Sequence, residues 1–373
     1  MGSADFLTGP PDRTLKEEFK NFMGEKALTT EIENLKKQVQ ESPLPPELLE
    51  KVLGMIARLL RMAKFGGYSA EYEQLSRYID WIINLPWKKK SQDILDLQHA
   101  KKVLDKNHYG LEEIKERILE YLAVLKLKSG PISNSQLSRA PILLFVGLVG
   151  TGKTTLGYSI AEAMGRKFMR IPFGGMGDAL QLRGQSRVYP DAEPGQVIKA
   201  LRRAGFQNPV ILLDEIDRVG EGARGDIMGV LIELLDPEQN AAFVDHYIDY
   251  PFDLSEVLFV ATCNNTTNIS PAVLDRLEPI QMPSYTDDQK IIIGKDYILP
   301  KTIKACGLTQ DILVIDKEVW PSIVRPLGFD AGTRTLERTI NGICRKAAKM
   351  MVEEKAQSFH ITSENIKEFL PSW

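Results

Sequence analysis

Five apolar residues, Ile142-Leu143-Leu144-Phe145-Val146, run directly into Gly147-Leu148-Val149-Gly150-Thr151-Gly152-Lys153-Thr154-Thr155, and a helical pattern follows. A buried strand, a glycine-rich turn and a helix start, in that order, constrain the fold more than any other feature of the chain. The glycines let backbone N–H groups curl around an anion with no Cβ in the way, and the helix N-terminus adds partial positive charge. Glycine, four residues, then Gly-Lys-Thr is the spacing of a phosphate-binding loop, and the flanking strand and helix separate it from a chance turn. In such a loop Lys153 reaches the β- and γ-phosphates, and the Thr154 hydroxyl coordinates Mg²⁺. Residues Gly147 to Thr155 are therefore the predicted cofactor-binding stretch, with ATP and Mg²⁺ as cofactors.

A second apolar run, Val210-Ile211-Leu212-Leu213, ends in Asp214-Glu215. Brought beside the loop, Asp214 would hold Mg²⁺ through its water shell and Glu215 would polarise the attacking water. That division of labour suits phosphoryl transfer, in which positioning and charge neutralisation lower the barrier. Alone, an acidic pair at a strand end reads as a helix cap; with the loop it reads as catalytic. A later strand ends in Ala261-Thr262-Cys263-Asn264-Asn265. Ligand-facing residues gather at the carboxyl edge of a parallel sheet, so Asn264 is a candidate to orient water or sense the γ-phosphate, with a capping asparagine as the alternative. Arg276 and Arg334, in Leu274-Asp275-Arg276 and Gly332-Thr333-Arg334, are candidates to stabilise charge on the transferred group, although residue type alone does not single them out.

Five short apolar runs (142–146, 168–171, 210–213, 258–262 and 280–282) alternate with helical patterns, which predicts an α/β class with a parallel sheet covered on both faces. The opening third reads as helical, at 12–41, 47–62, 70–83, 97–104 and 111–126, with a break at Ser42-Pro43-Leu44-Pro45-Pro46 and a turn at Phe65-Gly66-Gly67-Tyr68. Leu28, Ile32, Leu35 and Val39 form an apolar seam, which either contacts substrate or other subunits or folds back on its own domain. After Tyr285 the pattern is helical again, at 287–298, 317–324, 333–353 and 363–369. The expected division is a helical region over 1–104 (1–11 disordered), a nucleotide-binding domain over 105–285 and a small helical domain over 286–373.

Of 373 residues, 47 are Lys or Arg and 50 are Asp or Glu, a formal net charge of -3. That balance gives no overall field toward nucleic acid or an anionic membrane. No apolar run is long enough to span a bilayer and no secretory pattern opens the chain. Three separated cysteines and four scattered histidines offer neither a disulfide framework nor zinc spacing. A reduced, cytoplasmic protein is the expectation.

The set of motifs resembles the ATPase module of the Lon family of ATP-dependent proteases, a branch of the AAA+ superfamily. Beyond the nucleotide loop, the resemblance rests on Tyr78-Ile79-Asp80-Trp81 with Leu85-Pro86-Trp87, on His108-Tyr109-Gly110-Leu111 with the stretch 115–124, and on Leu235-Asp236-Pro237-Glu238-Gln239-Asn240. It implies an AAA+ P-loop core with a five-stranded parallel sheet, an N-terminal helical segment and a small helical lid. It implies Asn264 as first sensor, Arg276 as a finger in the next subunit's site, and Arg334 as second sensor acting in cis. His108 and Tyr109 would lie near the adenine, ordinary core packing being the alternative. The loop 187–195 matches the one that grips substrate in a central pore, and Tyr189 falls at the gripping position; an exposed loop tyrosine without function is its alternative. Pro190 stands where the family has an aliphatic residue, and Leu148-Val149 where it has two prolines. The second pore loop, near 220–224, holds no aromatic residue.

The resemblance further implies a homohexameric ring that unfolds and translocates misfolded or damaged protein, normally into a Ser-Lys protease chamber. Neither that protease domain nor the family's N-terminal β domain is readable in the chain, so peptide-bond hydrolysis is not expected of it. The alternative is a stand-alone chaperone-like ATPase or a nucleic-acid motor. For the latter the basic clusters are Lys88-Lys89-Lys90, Lys101-Lys102 and Arg202-Arg203, which solvated helix faces explain more simply.

Overall fold

The computed structural model describes residues 29–65, 70–128, 142–309, 311–325, 330–353 and 358–370. The predicted disorder at 1–11, the first part of the 12–41 helix with Leu28, and most of the Phe65–Tyr68 turn lie outside them. The described residues form two compact units, one reaching to Lys89 and joined by Ile248–Tyr250, the other holding Lys90–Tyr247 and the residues from Pro251 on.

In the first unit, helices span 29–41, Pro46–Phe65 and Ala70–Ile83. The proline-rich break falls between the first two, and Pro46 sits at a helix start, where its missing N–H costs nothing. Ile32, Val39, Leu48, Val52, Ile56 and Leu59 are fully buried. Two positions of the apolar seam are thus consumed in the chain's own packing. Tyr78 donates to the Ile248 carbonyl at 2.9 Å and Trp87 Nε1 to the Ile82 carbonyl at 2.7 Å, which fixes the end of this unit.

The second unit is built on strands β1 (Ile142–Val146), β2 (Phe168–Pro172), β3 (Val210–Asp214), β4 (Phe243–Val244), β5 (Pro251–Phe252), β6 (Leu258–Cys263) and β7 (Leu277–Gln281), with β8 (Leu313–Ile315) and β9 (Phe359–Ile361) farther on. The main sheet has the order β2-β3-β6-β1-β7 and is parallel throughout. This is the five-stranded parallel sheet expected of the α/β class. Alternation sorts its residues: Leu143, Phe145, Val210, Leu212, Leu258 and Val260 share one core with the helices Leu97–Asn107, Glu112–Lys128 and Lys153–Met164. Each such buried side chain contributes about 1.5–3 kcal/mol by leaving water.

β7 begins at Leu277, three residues before the predicted run. Glu278 and Pro279 hid its start, and both are tolerated because β7 is an edge strand bonded to β1 alone. The C-terminal part is helical at Asp287–Ile292, Leu299–Ala305, Trp320–Val324 and Arg334–Val352, with a wide helical turn at Ile293–Ile298. Thr286 and Gln289 form a capping box at its start. Its separate core holds Trp320, Leu336, Ile340, Ile343 and Ile361. The helical reading lacked the parallel pair of β8 and β9. Three residues per strand are too few to show a period, and the partners are far apart in sequence.

Candidate nucleotide-binding site

β1, β3 and β6 are neighbours in the sheet, so their carboxyl ends deliver the nucleotide loop, Asp214-Glu215 and Asn264 to one edge. β1 ends at Val146, and the Gly147 N–H donates to the Cys263 carbonyl at 3.2 Å. Gly150 and Gly152 take φ of 84° and 95°, left-handed values that curl the loop before the helix starts at Lys153. Lys153 folds back over the loop, its Nζ donating to the Gly147 carbonyl at 2.6 Å, the Leu148 carbonyl at 2.9 Å and Asn264 Oδ1 at 3.2 Å. Burial holds its ammonium below the usual lysine value, opposed by Asp214, Asp217 and Glu215 among others.

Asp214 is buried and fully engaged. Its Oδ1 accepts from Thr262 at 2.6 Å and from Thr154 at 3.4 Å, and its Oδ2 accepts from Arg170 Nε at 2.6 Å. Glu215 is one of the few non-glycine residues with a left-handed backbone (φ 58°, ψ 50°), a conformation that costs about 1–3 kcal/mol and persists where its surroundings impose it. Its N–H is held by Thr262 Oγ1 at 2.9 Å, and its carboxylate lies 3.5 Å from Arg218. The Asn264 N–H bonds Asp217 Oδ2 at 3.1 Å, while Asn264 Nδ2 and Asp217 Oδ1 are buried with no partner. A buried amide donor left over beside a lysine fits a phosphate oxygen. The Thr154 hydroxyl as a direct ligand, with Asp214 beside it acting through water, fits the few protein contacts that Mg²⁺ takes when phosphates and waters supply the rest.

Beside the loop lies a cavity of about 370 Å³ lined in part by His108, Tyr109, Gly152, Thr155, Tyr285 and Tyr297. His108 Nε2 lies 2.9 Å from Ser159 Oγ. Burial, aided by Lys115, pushes the His108 imidazole down to about 4. Tyr109 and Tyr297 meet edge to face at 6.3 Å. The cavity thus joins residues 107–109, the nucleotide loop and the C-terminal helices.

Those C-terminal residues also touch the loop directly. The Thr333 N–H and hydroxyl both donate to the Gly150 carbonyl, at 3.0 and 3.2 Å. Gly332 is pressed so closely on the loop that a Cβ would stand 2.5 Å from the Val149 carbonyl oxygen. Arg334 follows at the start of its helix, with its Cβ over Gly150. Arg276 is elsewhere engaged: its guanidinium bonds Asp236 at 2.9 Å and the Ala272 carbonyl at 2.7 Å. Tyr189 is 65% exposed and Val188 87% exposed, on a loop between two helices. Sequence reasoning missed Arg170, Thr262, Asp217, Tyr285 and Thr333. Thr262, Asp217 and Thr333 carried a signal, each standing within two residues of a predicted site residue; Arg170 and Tyr285 are ordinary residue types that the fold brings to the site.

Residues 143–285 match the family described as ATPase family associated with various cellular activities (AAA), and residues 304–359 match the Lon protease AAA+ ATPase lid domain. The chain is 46% identical over 340 residues to the Lon protease of Lawsonia intracellularis, covering 91% of this chain and 40% of that protein. It is 43% identical over 345 residues to Lon protease 2 of Thermus thermophilus, covering 91% and 42%, and 43% identical over 342 residues to Lon protease 1 of Bacillus subtilis, covering 92% and 43%. The chain thus spans about two fifths of the length of these relatives. With an AAA domain followed by a Lon-type lid, it belongs to the Lon family and corresponds to the family's ATPase part.

Proposed function

We propose that the chain binds and hydrolyses ATP and uses the energy to unfold and translocate misfolded or damaged protein, as the motor module of a homohexameric ring working with a protease chamber in the cytoplasm. The observation that carries hydrolysis is that Lys153 bonds Asn264 while the adjacent Thr154 bonds Asp214, with Thr262 tying Asp214 to the Glu215 backbone. In this reading the loop 147–155 holds the phosphates, and Thr154 with Asp214 holds Mg²⁺, which neutralises developing charge when bound. Lys153 and the spare Asn264 amide fix the terminal phosphate. Glu215 accepts a proton from the attacking water and orients it. His108 and Tyr109 flank the base, the segment 286–373 acts as a lid, and Arg334 reaches the phosphates in cis. Arg276 acts in the neighbouring subunit's site.

Protein as substrate is supported by the relatives, named as proteases, and by the exposed Val188 and Tyr189. No helix among the described residues is long and apolar enough to cross a membrane. The test is steady-state ATP hydrolysis by wild-type chain and by Glu215→Gln. The reading requires turnover in the first and its near-complete loss in the second; full turnover in Glu215→Gln would mean that another residue activates the water.

A further inference from the structure

The loop that carries Val188 and Tyr189 leaves the body of the protein through a narrow neck. On one side the helix Leu180–Arg183 ends in Gly184, whose N–H closes on the Leu180 carbonyl at 2.7 Å. On the other side Gly195 opens the helix Gln196–Ala204. The two sides touch: a Cβ on Gly195 would stand 1.9 Å from the Leu182 carbonyl oxygen and 2.7 Å from the Gly184 nitrogen. A third segment closes the neck from beneath. Asp245, just after β4, is 1% exposed, and its carboxylate lies directly against Gly184, 2.7 Å from where a Cβ would be. Its Oδ2 accepts from the Gly195 N–H at 2.7 Å and its Oδ1 from the Tyr247 N–H at 2.8 Å, while the His246 N–H donates to the Arg183 carbonyl at 2.7 Å.

From these contacts we infer that Asp245 is the positioning residue of the substrate-facing loop: its buried carboxylate bonds Gly195 and packs against Gly184, while the next residue's N–H bonds Arg183, so both ends of the loop are tied to residues 245–247 and the tip at 188–189 moves with the protein body instead of swinging on its own. The inference rests on the proposed gripping role of Tyr189 for its functional meaning, and on the neck alone for its mechanical content. A carboxylate has only acceptor sites, so it receives the Gly195 and Tyr247 N–H groups at once. A charge-assisted bond to a backbone N–H in a dry site is also among the stronger hydrogen bonds. Within the loop the Gln185 N–H donates to the Glu193 carbonyl at 3.1 Å and the Tyr189 N–H to the Ser186 carbonyl at 3.1 Å, with Lys199 bonded to Glu193 at its base. An asparagine at 245 would present an NH₂ to one of the two N–H groups, leaving that donor buried and unpaired.

The experiment is hydrogen exchange read by mass spectrometry on wild type, Asp245→Asn, Gly184→Ala and Tyr189→Ala, together with hydrolysis stimulated by an unfolded protein. Asp245→Asn is expected to raise exchange over 185–195 at least tenfold, while β3 and the helix Lys153–Met164 keep their protection. Gly184→Ala, whose methyl would meet the carboxylate, is expected to do the same by a different chemical change, which keeps the test open if one variant folds poorly. Tyr189→Ala should leave the exchange unchanged. Equal acceleration throughout the unit, or none in the loop, would overturn the clamp. If Tyr189→Ala keeps full stimulation by unfolded protein while Asp245→Asn frees the loop, the gripping role fails and the clamp stands.

Discussion

Lys153 is oriented by two carbonyl oxygens of its own loop and by Asn264 before any phosphate arrives, so little of its freedom remains to be lost on binding. Replacing it with alanine is predicted to lower ATP affinity roughly 100-fold or more, since charge-assisted contacts to phosphate are lost in a partly dry site; titration with a fluorescent nucleotide measures this. Glu215→Gln is predicted to behave differently, retaining affinity within a few-fold while hydrolysis falls about 10²–10⁴-fold, the usual worth of a positioned base. His108 gives a pH-dependent prediction. Its imidazole is pushed down to about 4 by burial, below the ordinary value of 6.5, so the unfolded chain binds the proton more readily. Stability from this residue is complete above about pH 6.5 and falls as the pH drops toward 4, by about 2–3 kcal/mol across that window. Thermal unfolding of wild type and His108→Gln between pH 7 and pH 4 checks this, and the variant should lose less of its stability on acidification.

Among the elements, the junction between the nucleotide loop and the helix Arg334–Val352 is the most sensitive. Gly332 lies flat against Val149 and Gly150, and Thr333 bonds the Gly150 carbonyl twice. Gly332→Ala should push the two apart, with nucleotide affinity falling about tenfold, which corresponds to about 1.4 kcal/mol. Titration of that variant measures it, and unchanged affinity would show that the junction does not serve the nucleotide. These elements also show where sequence reading succeeds and where it stops. β1 and the loop after it were legible because a continuous apolar run, a glycine spacing and a helix start agree locally. Asp214 and Asn264 were legible because they end buried strands. The partners that lock them were not: Thr262 bonds Asp214 and Glu215, and Arg170 caps Asp214, only because β2, β3 and β6 are adjacent. The same holds for Asp245, an unremarkable acid in sequence that becomes a buried clamp when three distant segments meet.

For the whole molecule, the proposed ring turns on Arg276, which Asp236 and the Ala272 carbonyl hold by two bonds. That pairing holds the Asp236 carboxyl below its ordinary value. A finger used in trans makes a simple mixing prediction. Arg276→Ala keeps a complete nucleotide loop but lacks the finger, whereas Glu215→Gln keeps the finger but lacks the base. Each alone should turn over ATP at about 1% of wild type or less, the loss expected on removing such a group. Mixed in equal amounts, they should regain activity well above the sum of the two, because some sites then pair an intact Glu215 with a neighbour's Arg276; no gain on mixing would place Arg276 outside the catalytic unit. The most direct test of the central claim is steady-state ATP hydrolysis across a wide range of wild-type chain concentration, with and without an unfolded protein such as casein. A motor module that assembles through Arg276 and grips protein through Tyr189 requires specific activity that rises with concentration and rises again with unfolded protein. Nucleotide binding without turnover at any concentration, or turnover indifferent to both, would contradict it.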